Sequence, residues 1–233
     1  MLRFHEVSCG YGRLPVLNGV SFAVGAESVG LFGPNGAGKT TVINALMGLV
    51  KPTAGRIEFQ GNDLAGLRTH QIARSGIALV PQERELFPGM TVADNLMLGA
   101  AYIPHARDRE AEQRETVLAL FPVLRERYRQ RAGTMSGGQQ RMVAIGRALM
   151  ACPRLLVLDE PSLGLQPSIV AEVFETLARL KSTVSVLVTE QNVRESLRAV
   201  DRGYVLENGR VVIQDSAKGL MENPHVISSY LGI

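Results

Sequence analysis

The run Gly33-Pro34-Asn35-Gly36-Ala37-Gly38-Lys39-Thr40 satisfies the pattern G-x-x-x-x-G-K-[ST], with apolar Val29 to Phe32 before it and helix-competent Thr41 to Leu49 after it. Strand, glycine-rich turn and helix in that order predict a loop that cradles phosphate. Glycine lets the backbone wrap closely around phosphate oxygens, and the amides that open the following helix point at the anion. Lys39 then bridges the outer phosphates of a nucleoside triphosphate and the Thr40 hydroxyl is a Mg²⁺ ligand. The expected nucleotide contacts are Gly33, Pro34, Asn35, Gly36, Ala37, Gly38, Lys39, Thr40 and Thr41. A chance match arises in roughly one chain in a hundred of this length at average composition, and the flanking strand and helix make chance rarer.

The chain of 233 residues is 45% hydrophobic, enough to bury a substantial α/β core with a smaller attached subdomain and too much for a disordered chain. Its 25 basic against 22 acidic residues leave +3, so composition implies neither bulk nucleic-acid binding nor strong adhesion to anionic lipid. Cys9 and Cys152 form no C-x-x-C pair and favour free thiols in a reducing, cytosolic compartment. No apolar stretch approaches the ~18 residues that would span a bilayer, and Met1 to Glu6 lacks a signal-peptide core.

Short β-prone runs at Leu2 to Val7, Val16 to Val24, Ser28 to Phe32 and Arg56 to Phe59 read as paired strands framing the phosphate loop. Ile77 to Val80 is a further strand, and Thr91 to Ala101, Asp108 to Phe121 and Gln139 to Met150 have helical spacing. After Pro153 come strand Leu155 to Leu158, helix Ser168 to Leu180, strand Val184 to Thr189, helix Val193 to Ala199 and strands near Tyr204 to Glu207 and Val211 to Gln214. Alternating strand and helix predict a parallel sheet covered on both faces.

Leu155-Leu156-Val157-Leu158-Asp159-Glu160 is an apolar run ending in two carboxylates, as expected of a buried central strand that delivers acids to the sheet's carboxyl edge. There Asp159 would hold Mg²⁺ through water, and Glu160 would orient or deprotonate the attacking water. The alternative is an acidic turn at a strand end. Ser136-Gly137-Gly138-Gln139 opens the helix after Thr134-Met135, and by itself reads as an N-cap with exposed amides.

Phosphate loop, Gln82 after a strand, Ser-Gly-Gly-Gln at a helix start and Asp159-Glu160-Pro161 after an apolar strand, in this order over essentially the whole chain, resemble the ATP-binding-cassette ATPases of membrane transporters. The resemblance implies an α/β fold: a P-loop NTPase (RecA-like) core with an N-terminal antiparallel β subdomain, residues 1–86 and 153–233, and a helical signature subdomain, residues 87–152. It implies that Ser136, Gly137, Gly138 and Gln139 bind the γ-phosphate of ATP held by an opposite subunit. Gln82 would reach Mg²⁺ and the neighbouring membrane subunit, so Thr40, Gln82 and Asp159 form the metal set, with ATP and Mg²⁺ as cofactors. Tyr11, in Gly10-Tyr11-Gly12, matches an aromatic that stacks on adenine, although alone it also reads as an exposed turn tyrosine.

The later stretches Asp159 to Leu165, Thr189-Glu190-Gln191-Asn192, Asp201 to Gly209 and Ser229-Tyr230-Leu231-Gly232-Ile233 resemble the shorter ATPase of Liv-type branched-chain amino-acid importers. Gln166-Pro167-Ser168 is similar to the urea branch of that subfamily. The partners so implied are a homologous second ATPase subunit or a second copy head to tail, integral-membrane permease subunits and, indirectly, a periplasmic binding protein, with no nucleic acid. The chain would sit in the cytoplasm, peripheral on the inner face of the membrane. Three positions depart from the wider pattern: Met135 for leucine, Gln166 for aspartate, and Gln191 for histidine. Gln191 keeps a donor and an acceptor but cannot become cationic, so Glu160, Gln82 and an uncharged Gln191 make up the expected catalytic group.

The basic run Arg125 to Arg131 reads as a solvated face or linker, with docking to a membrane-subunit loop or acidic lipid as the sharper alternative. Two other function classes fit less well. A non-transport cassette ATPase usually carries a coiled-coil insertion or tandem cassettes, and a switch GTPase wants an Asn-Lys-x-Asp guanine reader, which this sequence lacks.

Overall fold

A computed structural model describes residues 1–181 and 183–231, so Gly232-Ile233 of the C-terminal stretch lie outside the described residues. The strands are β1 Leu2–Tyr11, β2 Leu14–Val24, β3 Ser28–Phe32, β4 Ala54–Phe59, β5 Asn62–Asp63, β6 Ile77–Val80, β7 Leu155–Asp159, β8 Ser185–Glu190, β9 Arg202–Glu207 and β10 Arg210–Ser216. The helices are α1 Lys39–Leu46, α2 Thr69–Arg74, α3 Val92–Ala101, α4 Pro104–Arg107, α5 Glu110–Leu120, α6 Pro122–Glu126, α7 Gly137–Leu149, α8 Pro167–Leu180, α9 Val193–Ser196, α10 Ala217–Glu222 and α11 Pro224–Val226.

Two sheets form. One is antiparallel, in the order β2-β1-β4-β5; the other runs β10-β9-β3-β8-β7-β6 and is parallel except for the β9–β10 hairpin. The parallel strands are buried on both faces, which explains their unbroken apolar runs. Along β7, Leu155 and Val157 join the core shared with α1 and the antiparallel sheet, whereas Leu156 and Leu158 join the core shared with α7 and α8. Period-two alternation is therefore present, but both of its faces are dry.

This burial corrects the expected pairing of the N-terminal strands. Ser28 to Phe32 does not pair with β1 or β2; it lies between β8 and β9 at the centre of the parallel sheet. All five of its residues are buried, while β1 alternates, so β3 suits only a two-faced interior. Smaller differences have local causes. The first helix ends at Leu46, because Gly48 beyond it takes φ 71° and reverses the chain. The predicted helix Val193 to Ala199 is a single turn, Val193–Ser196, and α2 falls in a stretch too short to carry a periodic signal.

Between β6 and β7 the chain makes helices α3 to α7. Thr91 caps α3, its hydroxyl accepting from the Asp94 amide at 3.1 Å while Asp94 bonds back to the Thr91 amide at 3.1 Å. α3 crosses α7 at a very close approach, where a Cβ on Gly99 would stand 1.9 Å from the Arg147 carbonyl oxygen. The basic run begins in the last turn of α6 and continues past it, mostly exposed, with Arg125 paired to Glu115 at 2.8 Å, as a solvated face requires. Both cysteines are free thiols, and no helix among the described residues is long and apolar enough to cross a membrane.

The α3–α7 crossing yields a stability test. Gly99→Ala must push the two helices apart and should cost about 1–3 kcal/mol, the usual range for overpacking. Gly89→Ala, with no heavy atom within 4 Å of its added carbon, should unfold at the wild-type denaturant midpoint. Equal midpoints for all three proteins would contradict the close crossing.

Candidate nucleotide site

Four parallel strands end on one edge of the large sheet. The phosphate loop follows β3, Pro81 and Gln82 follow β6, Asp159 and Glu160 close β7, and Glu190 and Gln191 close β8. A cleft of about 450 Å³ opens there, lined by Asn35, Gly38, Lys39, Thr40, Gln82 and Glu160 together with Val16 and Leu163. Its size suits a small-molecule ligand. Two of the loop glycines are required by geometry. Gly33 passes so near β9 that a Cβ would meet the Leu206 carbonyl oxygen at 2.1 Å, and Gly38 caps α1 at φ 109°. The β9–β10 turn braces the loop from behind, with the Gly209 amide donating to the Ala37 carbonyl at 3.0 Å.

Lys39 is 4% exposed, and an ammonium so buried needs acceptors for all three of its protons. It donates to the carbonyls of Gly33 at 2.8 Å and Pro34 at 3.1 Å, and pairs with Glu160 Oε1 at 3.0 Å. Breaking a buried pair by removing one partner costs about 3–5 kcal/mol, so the two side chains hold each other at the cleft floor. Glu160 has φ 43°, a left-handed conformation that is strained for a non-glycine residue. Its amide is fixed by the Thr189 carbonyl at 3.0 Å and the Thr189 hydroxyl at 3.2 Å.

Asp159 is buried behind Thr40. It accepts from the Thr189 hydroxyl at 2.6 Å, and the nearby Thr40 hydroxyl also favours its charged form. Burial pushes its carboxyl above the ordinary aspartate range, against the pull of those two hydroxyls. Glu190 is more deeply enclosed. Its carboxylate accepts from the Ser162 amide at 2.8 Å, the Ser162 hydroxyl at 2.9 Å and the Asn192 amide at 3.4 Å, and burial again raises it, outweighing those bonds.

The fold thus brings together the loop, Gln82, Glu160 and, behind Thr40, Asp159. It leaves three predicted groups outside the cleft lining. Tyr11 ends β1, half exposed, its hydroxyl accepting from Asn44 of α1 at 2.9 Å. Gln191 is exposed just past β8. Ser136 caps α7 away from the cleft: its hydroxyl accepts from the Gln139 amide at 3.3 Å, and Gln139 Oε1 accepts from the Ser136 amide at 3.2 Å. Gly137 is half buried, and Gly138 is packed so tightly that a Cβ would stand 2.4 Å from Ile169 of α8.

Sequence reasoning missed Thr189, Glu190, Leu163 and Arg141 as site neighbours. The Asp159–Thr189 pairing is a matter of strand register, which no local pattern reports. Arg141, the largest fully buried side chain, sits on α7 and reaches the loop after β6.

The oxygen donors near the cleft fit Mg²⁺. Thr40 hydroxyl, Asp159 carboxylate and Gln82 amide are hard ligands, and Mg²⁺ is ordinarily held by one or two carboxylates plus substrate phosphates. Among the described residues there is no cluster of three or more His, Cys, Asp or Glu able to hold a metal ion.

A strand, a glycine loop, a helix and a carboxylate at the end of β7, two strands from β3, define a P-loop nucleotide-binding fold. Residues 17–163 match the ABC transporter family, and this chain belongs to that family of ATP-hydrolysing cassettes. It is 47% identical over 234 residues, covering 100% of both chains, to the high-affinity branched-chain amino acid transport ATP-binding protein BraG of Pseudomonas aeruginosa. It is 38% identical to the lipopolysaccharide export system ATP-binding protein LptB of Escherichia coli K12, over 93% of this chain and 91% of that one. Among solved structures, the ADP conformation of MJ1267, an ATP-binding cassette of an ABC transporter, superposes with a TM-score of 0.87 at 29% identity, covering 100% of this chain and 99% of that one.

Glu190 supplies a test by pH. Its folded value is raised, so folding favours its protonated form; that contribution is full below the ordinary glutamate range and is lost as pH rises through the folded value. Glu190→Gln should therefore gain stability relative to wild type as pH is raised from 4 to 8. Urea unfolding at both ends of the range reads this directly, and a difference that shrinks with pH would contradict the burial penalty.

Proposed function

We propose that this chain is the ATP-hydrolysing subunit of an importer of branched-chain amino acids, acting as half of a dimer that closes around two ATP molecules. The observation that carries the hydrolytic part is the meeting of Lys39 and Glu160 in one cleft with Thr40 and Gln82. The three acceptors of the Lys39 ammonium include one anion, Glu160. A triphosphate brings a stronger anion to Lys39 and releases the Glu160 carboxylate, which then accepts a proton from the attacking water. Thr40, Asp159 and Gln82 would hold a Mg²⁺, which when bound neutralises charge on the phosphate oxygens. Gln191, at the end of β8, would share a hydrogen bond with the γ-phosphate, and Tyr11 would offer its exposed ring to adenine.

Ser136, Gly137, Gly138 and Gln139 lie outside their own chain's cleft, so the N-terminus of α7 is left to serve ATP bound to a partner cassette. Permease subunits would dock on the helical unit of residues 87–152, where Phe87, Met90, Met97 and Tyr102 are exposed around α3. The chain would then sit in the cytoplasm, against the inner face of the membrane. The substrate class rests on the full-length match to BraG.

Glu160→Gln keeps the side chain's size but removes the proton acceptor, so ATP should bind while turnover falls by roughly 10²-fold or more. Wild-type turnover would remove Glu160 from the role of base. In a mixed dimer, Ser136→Arg should silence the site whose phosphate loop belongs to the partner; silencing of the site on its own chain would overturn the trans arrangement. For the substrate, the transporter reconstituted in vesicles should take up leucine but not urea on addition of ATP, and the opposite selectivity would reassign the importer.

A further inference from the structure

A separate cavity lies at the far end of α1 from the phosphate loop. It holds about 560 Å³, more than the 450 Å³ of the nucleotide cleft, and shares no lining residue with it. One wall is the turn that leaves α1, from Gly48 to Pro52; the other is β4 with the loop from Asp63 to Thr69. Backbone bonds fix that loop. The Leu64 amide donates to the Ile57 carbonyl at 2.9 Å, the Leu67 amide to the Leu64 carbonyl at 3.1 Å, and the Ala65 amide to Asp63 Oδ1 at 2.9 Å. The loop also passes close over the end of α1, where a Cβ on Gly48 would stand 3.0 Å from the Leu67 carbonyl oxygen. The cavity is therefore formed before any ligand arrives, as small-molecule sites usually are.

Its floor and its rim differ in chemistry. Ala45, Val50, Ile57 and Leu64 make the floor, all of them buried hydrophobic residues. The charged side chains around it are exposed Lys51, Arg56 and Arg68 against a single acid, Asp63. Arg56 is paired to Glu58 at 2.7 Å, whereas Lys51 and Arg68 have no ion pair among the described residues. The carbonyls that end α1 do not serve them either: those of Ile43, Asn44 and Ala45 are taken by the amides of residues 47 to 50. Two cations are thus left without a counter-charge beside a dry apolar floor.

Each half of the cavity excludes the simplest occupant of the other. A bare inorganic anion would answer Lys51 and Arg68 but leave the floor uncovered, and a neutral hydrocarbon would cover the floor but leave the cations unanswered. We propose that this cavity is a second ligand site, for a small monocarboxylate with a medium-length hydrocarbon body. The carboxylate accepts from Lys51 and Arg68, and the hydrocarbon lies over Ala45, Val50, Ile57 and Leu64. The site goes beyond the nucleotide chemistry, since no residue of the ATP cleft takes part in it. Its occupant bridges the turn after α1 and the loop after β5, so binding stabilises the folded chain in proportion to ligand concentration.

The test titrates the full-length chain with octanoate, using octanol as the same tail without charge and acetate as the same head without tail. Calorimetry should show one saturable octanoate site per chain, with the unfolding temperature rising as octanoate is added. Octanol and acetate should each bind about tenfold more weakly or worse, since a fully buried methylene is worth about fourfold and lost hydrogen bonds to charged groups about tenfold or more. Lys51→Ala combined with Arg68→Ala, both exposed positions, should leave the unfolding temperature of the free chain unchanged and weaken octanoate about tenfold or more. Arg74→Ala, an exposed arginine outside the cavity, should bind octanoate as wild type does. Hydrogen exchange locates the site: octanoate should protect amides within residues 48–51 and 64–69, and excess ATP should not displace it. Absence of saturable binding, equal affinity for octanol or acetate, full affinity in the double variant, protection only at other residues, or displacement by ATP would each overturn the proposal.

Discussion

A lysine ammonium buried at the end of a β-strand needs somewhere for three protons to go. At Lys39 two go to carbonyls of the loop that precedes it and the third to Glu160. That pair ties the loop after β3 to the end of β7, two strands away in the sheet order. On the proposed reading an incoming phosphate would compete for the same ammonium, so that substrate binding and the freeing of Glu160 would be a single exchange. The pair is a structural tie and, on that reading, would be the place where ligand chemistry begins.

The large sheet makes the exchange geometrically possible. Parallel strands covered on both faces align their carboxyl ends on one edge, and loops from β3, β6, β7 and β8 converge there without any one of them being long. The antiparallel sheet and α1 press on one face and the helical unit reaches the other, which gives the molecule two cores that meet across the sheet. The helical unit is in turn gripped to the edge by arginine forks rather than by apolar packing alone. Hydrogen bonds from a planar cation are directional, so they transmit orientation where hydrophobic contact would permit sliding.

Carboxylates accumulate at this edge. Asp159, Glu160 and Glu190 are all buried within a few residues of the cleft, and burial holds Asp159 and Glu190 above their ordinary ranges. Threonine and serine hydroxyls, Thr189 on Asp159 and Ser162 on Glu190, keep these acids oriented. The strained backbone of Glu160 belongs to the same arrangement: the tight turn after β7 aims its carboxylate back at Lys39.

The phosphate loop, the acidic end of β7 and the capped start of α7 were legible in the sequence because each depends on neighbours along the chain. Glycine where φ is positive, an apolar run before acids and a serine three residues before a glutamine are all local demands of the backbone. The partnership of β3 was not legible, since a short apolar strand carries no mark of which sheet will bury it. Nor were the bonds from Thr189 to Asp159, from Ser162 to Glu190 and from Arg141 to the Gln82 loop, which join residues 30, 28 and 59 positions apart. Those pairings follow from strand register and helix packing, where the burial of a charged or polar group selects its partner in space, and distance along the chain has no part in the choice.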